Sequence, residues 1–319
     1  DTSNSIYVDG VRDLGSISRD IFNIDQVEVI KGPSGTDYGR SAPTGAINMV
    51  TKQPSLEDSF AGSLGFGSGS YKRGTVDWNK SLTGMNGAAF RLNAVAQDAG
   101  VAGRHGIEND RWGLAPSFAF GLNTPTRVYV NLLHVKQSNV PDGGVLTMGL
   151  PGYSTPDRPA DPQYRDYLSS AARVATSNFY GTASDHDDVT ADMATVRVEH
   201  DFSPATKLRN TTRWGQTKQN YLLSSFMASG RSQNATTGVW ADGTLLTPDA
   251  NDPSTWTISR LVNTRDQVNK ILTNQTVVTT SFDTGSVRHD LSAGLELTRE
   301  EQVSYTLATI NTGQAQGKT

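Results

Sequence analysis

Along most of this chain apolar and polar residues take turns one by one, and that period of two constrains the fold more than any other feature. Phe90, Leu92, Ala94 and Ala96 alternate with Arg91, Asn93, Val95 and Gln97; Ala194, Val196 and Val198 alternate with Thr195, Arg197 and Glu199. The same rhythm runs through Trp112 to Phe120, Val128 to Leu132, Leu208 to Trp214 and Leu291 to Leu297. Successive side chains of a strand point to opposite faces, so each run predicts a strand with one apolar and one polar side. About nine such strands are expected from Phe60 onward.

The connections between the runs narrow the architecture. Gly84–Gly87, Asn123–Thr126, Ser203–Thr206 and Thr284–Val287 read as tight turns, whereas the stretches near 99–110, 141–188 and 223–266 are long and polar. A soluble sandwich has no reason to collect its long loops at one end. A barrel in an outer membrane does, with short periplasmic turns and long extracellular loops. Trp78, Trp112 and Trp214, on apolar faces near strand ends, suit an interfacial girdle. The mean hydropathy of −0.45 does not count against a membrane barrel, because a barrel strand needs only about 9–11 alternating residues to cross. A helical span is excluded, since nothing approaches roughly 18 consecutive apolar residues. Single-chain bacterial barrels have even strand counts, so an odd count and a polar end at Lys318-Thr319 suggest an unfinished barrel. Likewise Asp1-Thr2-Ser3-Asn4 reads as mid-protein, with no leader-type stretch.

Residues 1–54 have another texture, with short β-type runs at Ile6-Tyr7-Val8, Val27-Glu28-Val29-Ile30 and Gly45 to Val50, punctuated by glycine and closed at Pro54. Small residues dominate, as a compact module in a confined space requires. The expected division is therefore a 1–54 module followed by strands over 55–319. The fold class expected is an all-β, antiparallel, large membrane barrel, incomplete here, preceded by a small α+β plug module.

Several tempting sites weaken on inspection. Gly32-x-x-Gly35-x-x-x-Gly39 lacks the Gly-Lys-Ser/Thr ending of a phosphate loop and no helical pattern follows it. Gly65-Phe66-Gly67-Ser68-Gly69 reads as a hairpin end. Asp185-His186-Asp187-Asp188 offers calcium-type oxygen ligands or a solvated acidic loop end. The histidines, at 105, 134, 186, 200 and 289, show no metal-ligand spacing, and cysteine is absent, so no metal site is expected. No Gly-x-Ser-x-Gly elbow appears, so an enzyme is not expected. The net charge of −4 argues against nucleic acid as a partner.

The text Tyr7-Val8-Asp9-Gly10-Val11-Arg12-Asp13, then Val27 to Gly35, then Gly39-Arg40-Ser41-Ala42-Pro43-Thr44-Gly45-Ala46-Ile47-Asn48-Met49-Val50-Thr51-Lys52-Gln53-Pro54 resembles the plug of TonB-dependent outer-membrane siderophore receptors, in their Fiu/PiuA-like catecholate branch. His186-Asp187-Asp188-Val189, Glu199-His200-Asp201 and Gly294 to Glu301 resemble the same branch. The resemblance implies import of a ferric siderophore across the bacterial outer membrane, with TonB (and ExbB and ExbD) supplying energy through a segment this chain does not contain. It implies outer-membrane lipid around the barrel and no cofactor, since iron arrives already chelated. A hydroxamate or citrate chelate is the alternative cargo. A passive porin and a secreted β-rich binding module are the competing classes.

A ferric catecholate is anionic, bulky and aromatic, so cations and ring faces are needed at the outer mouth. Arg12 and Arg19 are the candidates on the plug, although Asp13 and Asp20 beside them allow plain local pairing. Tyr153, Tyr164, Arg165, Trp240 and Trp256 are the candidates in the long loops, where Tyr167, Tyr180, Arg158, Arg173, Arg231 and Arg260 enrich the same mixture. Alternation sends Tyr129, Arg197, Arg209, Arg213 and Glu296 into the lumen. A plug-to-wall ion pair is expected from Lys31 or Arg40 to Glu296 first and Glu199 second, with pairing inside the plug as the equal alternative.

Overall fold

The structure is a computed structural model, and it describes residues 6–13, 18–32, 45–85, 87–145, 172–226 and 260–305. Two sheets account for its strands. The first comprises β1 (Ile6–Val8), β2 (Val11–Arg12), β3 (Ile24–Lys31) and β4 (Gly45–Thr51), in the order β2-β1-β4-β3. β1 runs parallel to β4 and the other pairs are antiparallel, giving the expected small mixed sheet. Among the described residues it contains no helix. Its segments are short and broken by glycine and proline, which leaves little length for a costly helix nucleus.

β1 and β2 are joined by Asp9-Gly10, both at positive φ (50° and 78°). That is the turn an Asp-Gly pair favours, because its twist matches the strands it joins. The turn is also fixed from outside: Gly10 donates its N–H to the Asn48 side chain, and the Asp9 carboxylate accepts from the N–H and hydroxyl of Thr51.

The second sheet is an unbroken antiparallel meander of nine strands among the described residues: β5 (Ser59–Phe66), β6 (Lys72–Ser81), β7 (Ala89–Asp98), β8 (Glu108–Phe120), β9 (Thr126–Val140), β10 (His186–Asp201), β11 (Thr206–Phe226), β12 (Arg260–Thr284) and β13 (Val287–Tyr305). Tight turns join β6 to β7, β8 to β9, β10 to β11 and β12 to β13; the longest connections lie at the opposite end. β11 and β12 have 21 and 25 residues. They reach well into stretches that polarity alone suggested were loop, because their ladder continues in register from Thr206↔Thr280 to Phe226↔Arg260.

The polarity of this sheet is inside-out. Phe60, Leu64, Phe66, Trp78, Trp112, Leu114, Leu132, Trp214, Leu272, Leu295 and Leu297 are exposed, while Asn79, Asn93, Gln137, Thr195, Arg213, Gln219 and Thr273 are buried. Pairings such as Leu132↔Ala194, Ala194↔Trp214 and Trp214↔Leu272 put the apolar set on one face. Water would penalise so broad an apolar face; lipid removes the penalty. No helix among the described residues is long and apolar enough to cross a membrane.

The small sheet lies against the polar face of the large one, and one aromatic side chain seats it. Phe22 is buried among Val95, Ala115, Val135 and Ala191 of four successive wall strands. The hole exists because position 113 is glycine: a Cβ there would lie 3.1 Å from the ring. Phe22→Ala should cost about 3–5 kcal/mol of docking. Gly113→Leu should unseat the same ring, leave the barrel resistant to dodecyl sulfate, and open the plug to limited proteolysis; combining it with Phe22→Ala should restore part of the protection.

Candidate functional site

The plug meets the wall along rows of side chains that the register lines up across neighbouring strands. Arg73↔Gln97, Gln97↔Arg111 and Arg111↔Gln137 are consecutive pairs, so one row on the polar face carries two guanidiniums and two amides. Asp20 of the plug sits in this row. Arg73 grips it with two bonds of 2.8 and 2.7 Å, and Arg111 approaches at 3.5 Å. Beside it Gln137 donates to the Ser18 carbonyl at 2.7 Å. Burial pushes the Asp20 carboxyl up, but the Arg73 bonds and charge, the Phe22 N–H and Arg111 outweigh it and hold the group below the ordinary carboxylate range.

A second tie is deeper. Arg213 of β11 is 1% exposed. It donates to the Val8 carbonyl at 2.6 Å, to the Asp9 carboxylate at 3.1 Å and to the Thr195 hydroxyl at 2.8 Å. Where the plug leads into the wall, Arg91 and Lys52 share Asp77, and Arg91 also donates to the Gln53 carbonyl. Tyr7, on the far side of the hairpin, is 2% exposed, and burial pushes its phenol up.

The apex of the plug holds the two arginines of interest. Arg12 contacts both carboxylate oxygens of Glu300, at 3.2 and 3.0 Å, so it bridges β2 to β13. Arg19 closes on Asp13 with bonds of 2.5 and 2.7 Å, within the plug. Glu300 and Gln137 both lie toward the strand ends remote from the tight turns, which places the apex on the side of the long connections. The cavity enclosed by plug and wall beneath it, lined by Asp9, Asp13, Arg19, Asn93, Asn131 and Arg213 among others, measures about 50 Å³. Small-molecule sites are roughly 300–1,000 Å³; the seam is closed to a chelate.

The expected Lys31–Glu296 contact is not made. Lys31 is exposed and has no wall carboxylate among the described residues. Glu296 accepts instead from Gln275 and Thr298 of the wall, and Glu199 is taken by Arg127 and Arg197. The reason is the sheet order: Lys31 ends β3, the edge strand farthest from β2, whereas β12 and β13 meet the β1–β2 hairpin, where Gln275 reaches the Gly10 carbonyl. The two buried ties also have the opposite polarity to the one expected, with plug carboxylates Asp9 and Asp20 held by wall arginines. Tyr129 and Arg197 stack on the inner face, 4.2 Å from ring centre to guanidinium. Arg40, Tyr153, Tyr164, Arg165, Trp240 and Trp256 lie outside the described residues. Asp185 is buried and ties its loop to β11 by accepting from Thr182 and the Ser224 N–H.

Asp20 carries a pH signature. Because its folded pKa is depressed, its contribution to docking should be complete above the unfolded value of about 3.9 and lost as pH falls through the lower folded value. Protease protection of the plug should therefore hold from neutrality to about pH 4 and decline below, and Asp20→Asn should reduce it near neutrality and flatten that decline. Arg213→Ala should cost about 3–5 kcal/mol, as for any buried pair stripped of one partner, read as plug release at lower denaturant concentration.

The family described as TonB-dependent Receptor Plug Domain matches residues 1–46. The chain is 51% identical over 305 residues to the catecholate siderophore receptor Fiu of Escherichia coli K12, an alignment covering 96% of this chain and 38% of that protein. It is 27% identical to PiuA of Acinetobacter baumannii, described as a probable TonB-dependent siderophore receptor, covering 94% of this chain and 36% of PiuA. The crystal structure of the ferric-catecholate import receptor Fiu in its open form superposes with a TM-score of 0.84 over 96% of this chain and 44% of that one. The crystal structure of PiuA superposes with a TM-score of 0.76 at 26% identity, over 94% of this chain and 38% of that one. The chain thus spans about two-fifths of the length of these relatives.

Proposed function

The chain belongs to the TonB-dependent siderophore receptors of the bacterial outer membrane, and from that membership we propose that it serves in TonB-driven import of a ferric catecholate, with Arg12 as the plug's contact to the cargo. The observation that carries the proposal is the placement of Arg12: a guanidinium at the plug apex, on the side of the long connections, paired with the Glu300 carboxylate of the wall. An anionic chelate entering from outside meets this cation first. Fiu, 51% identical over the 305 residues aligned, is named for catecholates, which favours that cargo over a hydroxamate or citrate chelate.

We give Arg19 a lesser part in this reading. Its guanidinium is already matched by both oxygens of Asp13, and bidentate pairs of this kind are the strong ones. Arg19 is read as a brace on Asp13, and Arg12 as the residue that faces the cargo. The tyrosines, tryptophans and Arg165 of the long loops supply the ring faces and further charge in this reading. TonB, with ExbB and ExbD, would drive the import, and lipid would cover the apolar outer face. No bond is made or broken: the polar wall and the plug sort cargo by charge and shape and then let it through. A passive porin does not suit a lumen face whose arginines are committed to a plug.

Losing one charge-assisted contact costs about 1.5–3 kcal/mol, or roughly tenfold to a hundredfold in affinity. Arg12→Ala should weaken ferric-catecholate binding by that factor, measured by quenching of tryptophan fluorescence on folded receptor. Growth under iron limitation on a panel of pure chelates should fall for catecholates alone. Unchanged binding in the mutant would remove Arg12 from the site, and growth loss on hydroxamates alone would overturn the catecholate assignment.

A further inference from the structure

We infer that Glu300 is the positioning residue that sets the affinity of Arg12 for anionic cargo, and that its displacement is how occupancy of the plug is passed to the barrel wall. This rests on the reading of Arg12 given above. The ionic ties of this plug differ in how easily water or an anion can replace them. Arg213 is fully buried on Asp9, Asp20 is enclosed by Arg73 and Arg111, and Arg19 closes on a buried Asp13. In the Arg12–Glu300 pair a single Nη meets both carboxylate oxygens, whereas Arg73 and Arg19 hold their carboxylates through two nitrogens each. A two-nitrogen fork is the stronger arrangement, so the Arg12 pair is the one at the apex that a ligand can exchange.

Its place in the fold gives the exchange a consequence. Among the described residues it is the only ion pair between the plug and β12–β13; the remaining hydrogen bond on that flank is Gln275 to the Gly10 carbonyl, at 3.4 Å. The opposite flank is fastened by the Asp20 clamp, the Gln137 bond and the Phe22 ring seated against Gly113. An anion taking Arg12 would come to lie within a few ångströms of the Glu300 carboxylate, and like charges that close repel one another. The cargo therefore replaces Glu300 on Arg12 and drives the β1–β2 hairpin away from β13, while residues 18–22 stay in place. Binding and separation of that flank are then two sides of one coupling, and each must favour the other.

The coupling predicts a gain of affinity on removing a wall charge, which structural damage would not produce. In the complete receptor, with ferric catecholate prepared in excess catechol as the probe, Glu300→Gln should bind roughly two- to fivefold more tightly than wild type, the factor a weak ion pair represents. Glu300→Asp, which keeps the charge, should return affinity toward the wild-type value. Hydrogen exchange supplies the second reading. In wild type the probe should speed exchange of the Val11 to Asp13 amides and leave Phe22 protected; in Glu300→Gln the Val11 to Asp13 amides should already exchange fast without it. Equal or weaker binding by Glu300→Gln, or exchange rising equally at Phe22 and Val11, would overturn the inference. If Arg12→Ala weakens binding while Glu300→Gln does not strengthen it, this inference fails and the Arg12 reading stands; if Arg12→Ala binds normally, both fail.

Discussion

A guanidinium withdrawn from water must be matched charge for charge and bond for bond, or the cost is several kcal/mol. Arg213 meets that requirement with groups from two separate sheets: a wall hydroxyl, a plug carbonyl and a plug carboxylate. The rest of the arrangement depends on it. A barrel that turns its apolar side to lipid has to bury its polar side, and a polar side that faces no water needs a partner with complementary donors and acceptors. The plug is that partner. Its carboxylates at Asp9 and Asp20 are to the wall arginines what a buried counter-ion is to any enclosed charge. Plug and barrel thus share one polar interior, pinned by these ion pairs and, among the described residues, by the Phe22 ring in its apolar hole.

The same polar interior makes a seam that can part. Apolar interfaces resist opening along their whole area, whereas a polar seam opens bond by bond as water or ligand supplies replacements. Its strength is uneven. On β6 to β9 the register stacks arginine, amide and an apolar hole within a few residues; on β12 and β13 it offers Thr273, Gln275, Thr298 and Glu300, mostly short or neutral groups. The unevenness is a property of sequence register, since a slip of one residue would send every one of these side chains to the lipid face.

Much of this was legible from the chain alone. Strict alternation announced the strands, their inside-out polarity and the inward course of Arg197, Arg209 and Arg213. Asp9-Gly10 is a hairpin-turn signal that the expected β-type runs of residues 1–54 did not include. What could not be read were the partners, because they lie far apart in sequence: Arg213 and Asp9 are separated by 204 residues, Arg12 and Glu300 by 288. Lys31 illustrates the difficulty. Its charge and its neighbours suggested a wall contact, but the parallel pairing of β1 with β4 places β3 at the remote edge of its sheet, and nothing local encodes that order. Gly113 was silent for a related reason: a glycine in a strand signals close approach without saying what approaches, and Phe22 lies outside the strand altogether.

The lengths of β11 and β12 have a consequence for the height of the barrel rim. Roughly 9–11 residues of a tilted strand suffice to cross the bilayer, and β12 has 25. At about 3.3 Å per residue, more than half of this hairpin stands clear of the lipid as paired backbone, continuous in register with the part that is embedded. Such an extension is a stiff palisade. It raises the rim of the barrel above the headgroups and holds its walls at set spacing, so that whatever approaches the plug from that side passes first between fixed strands.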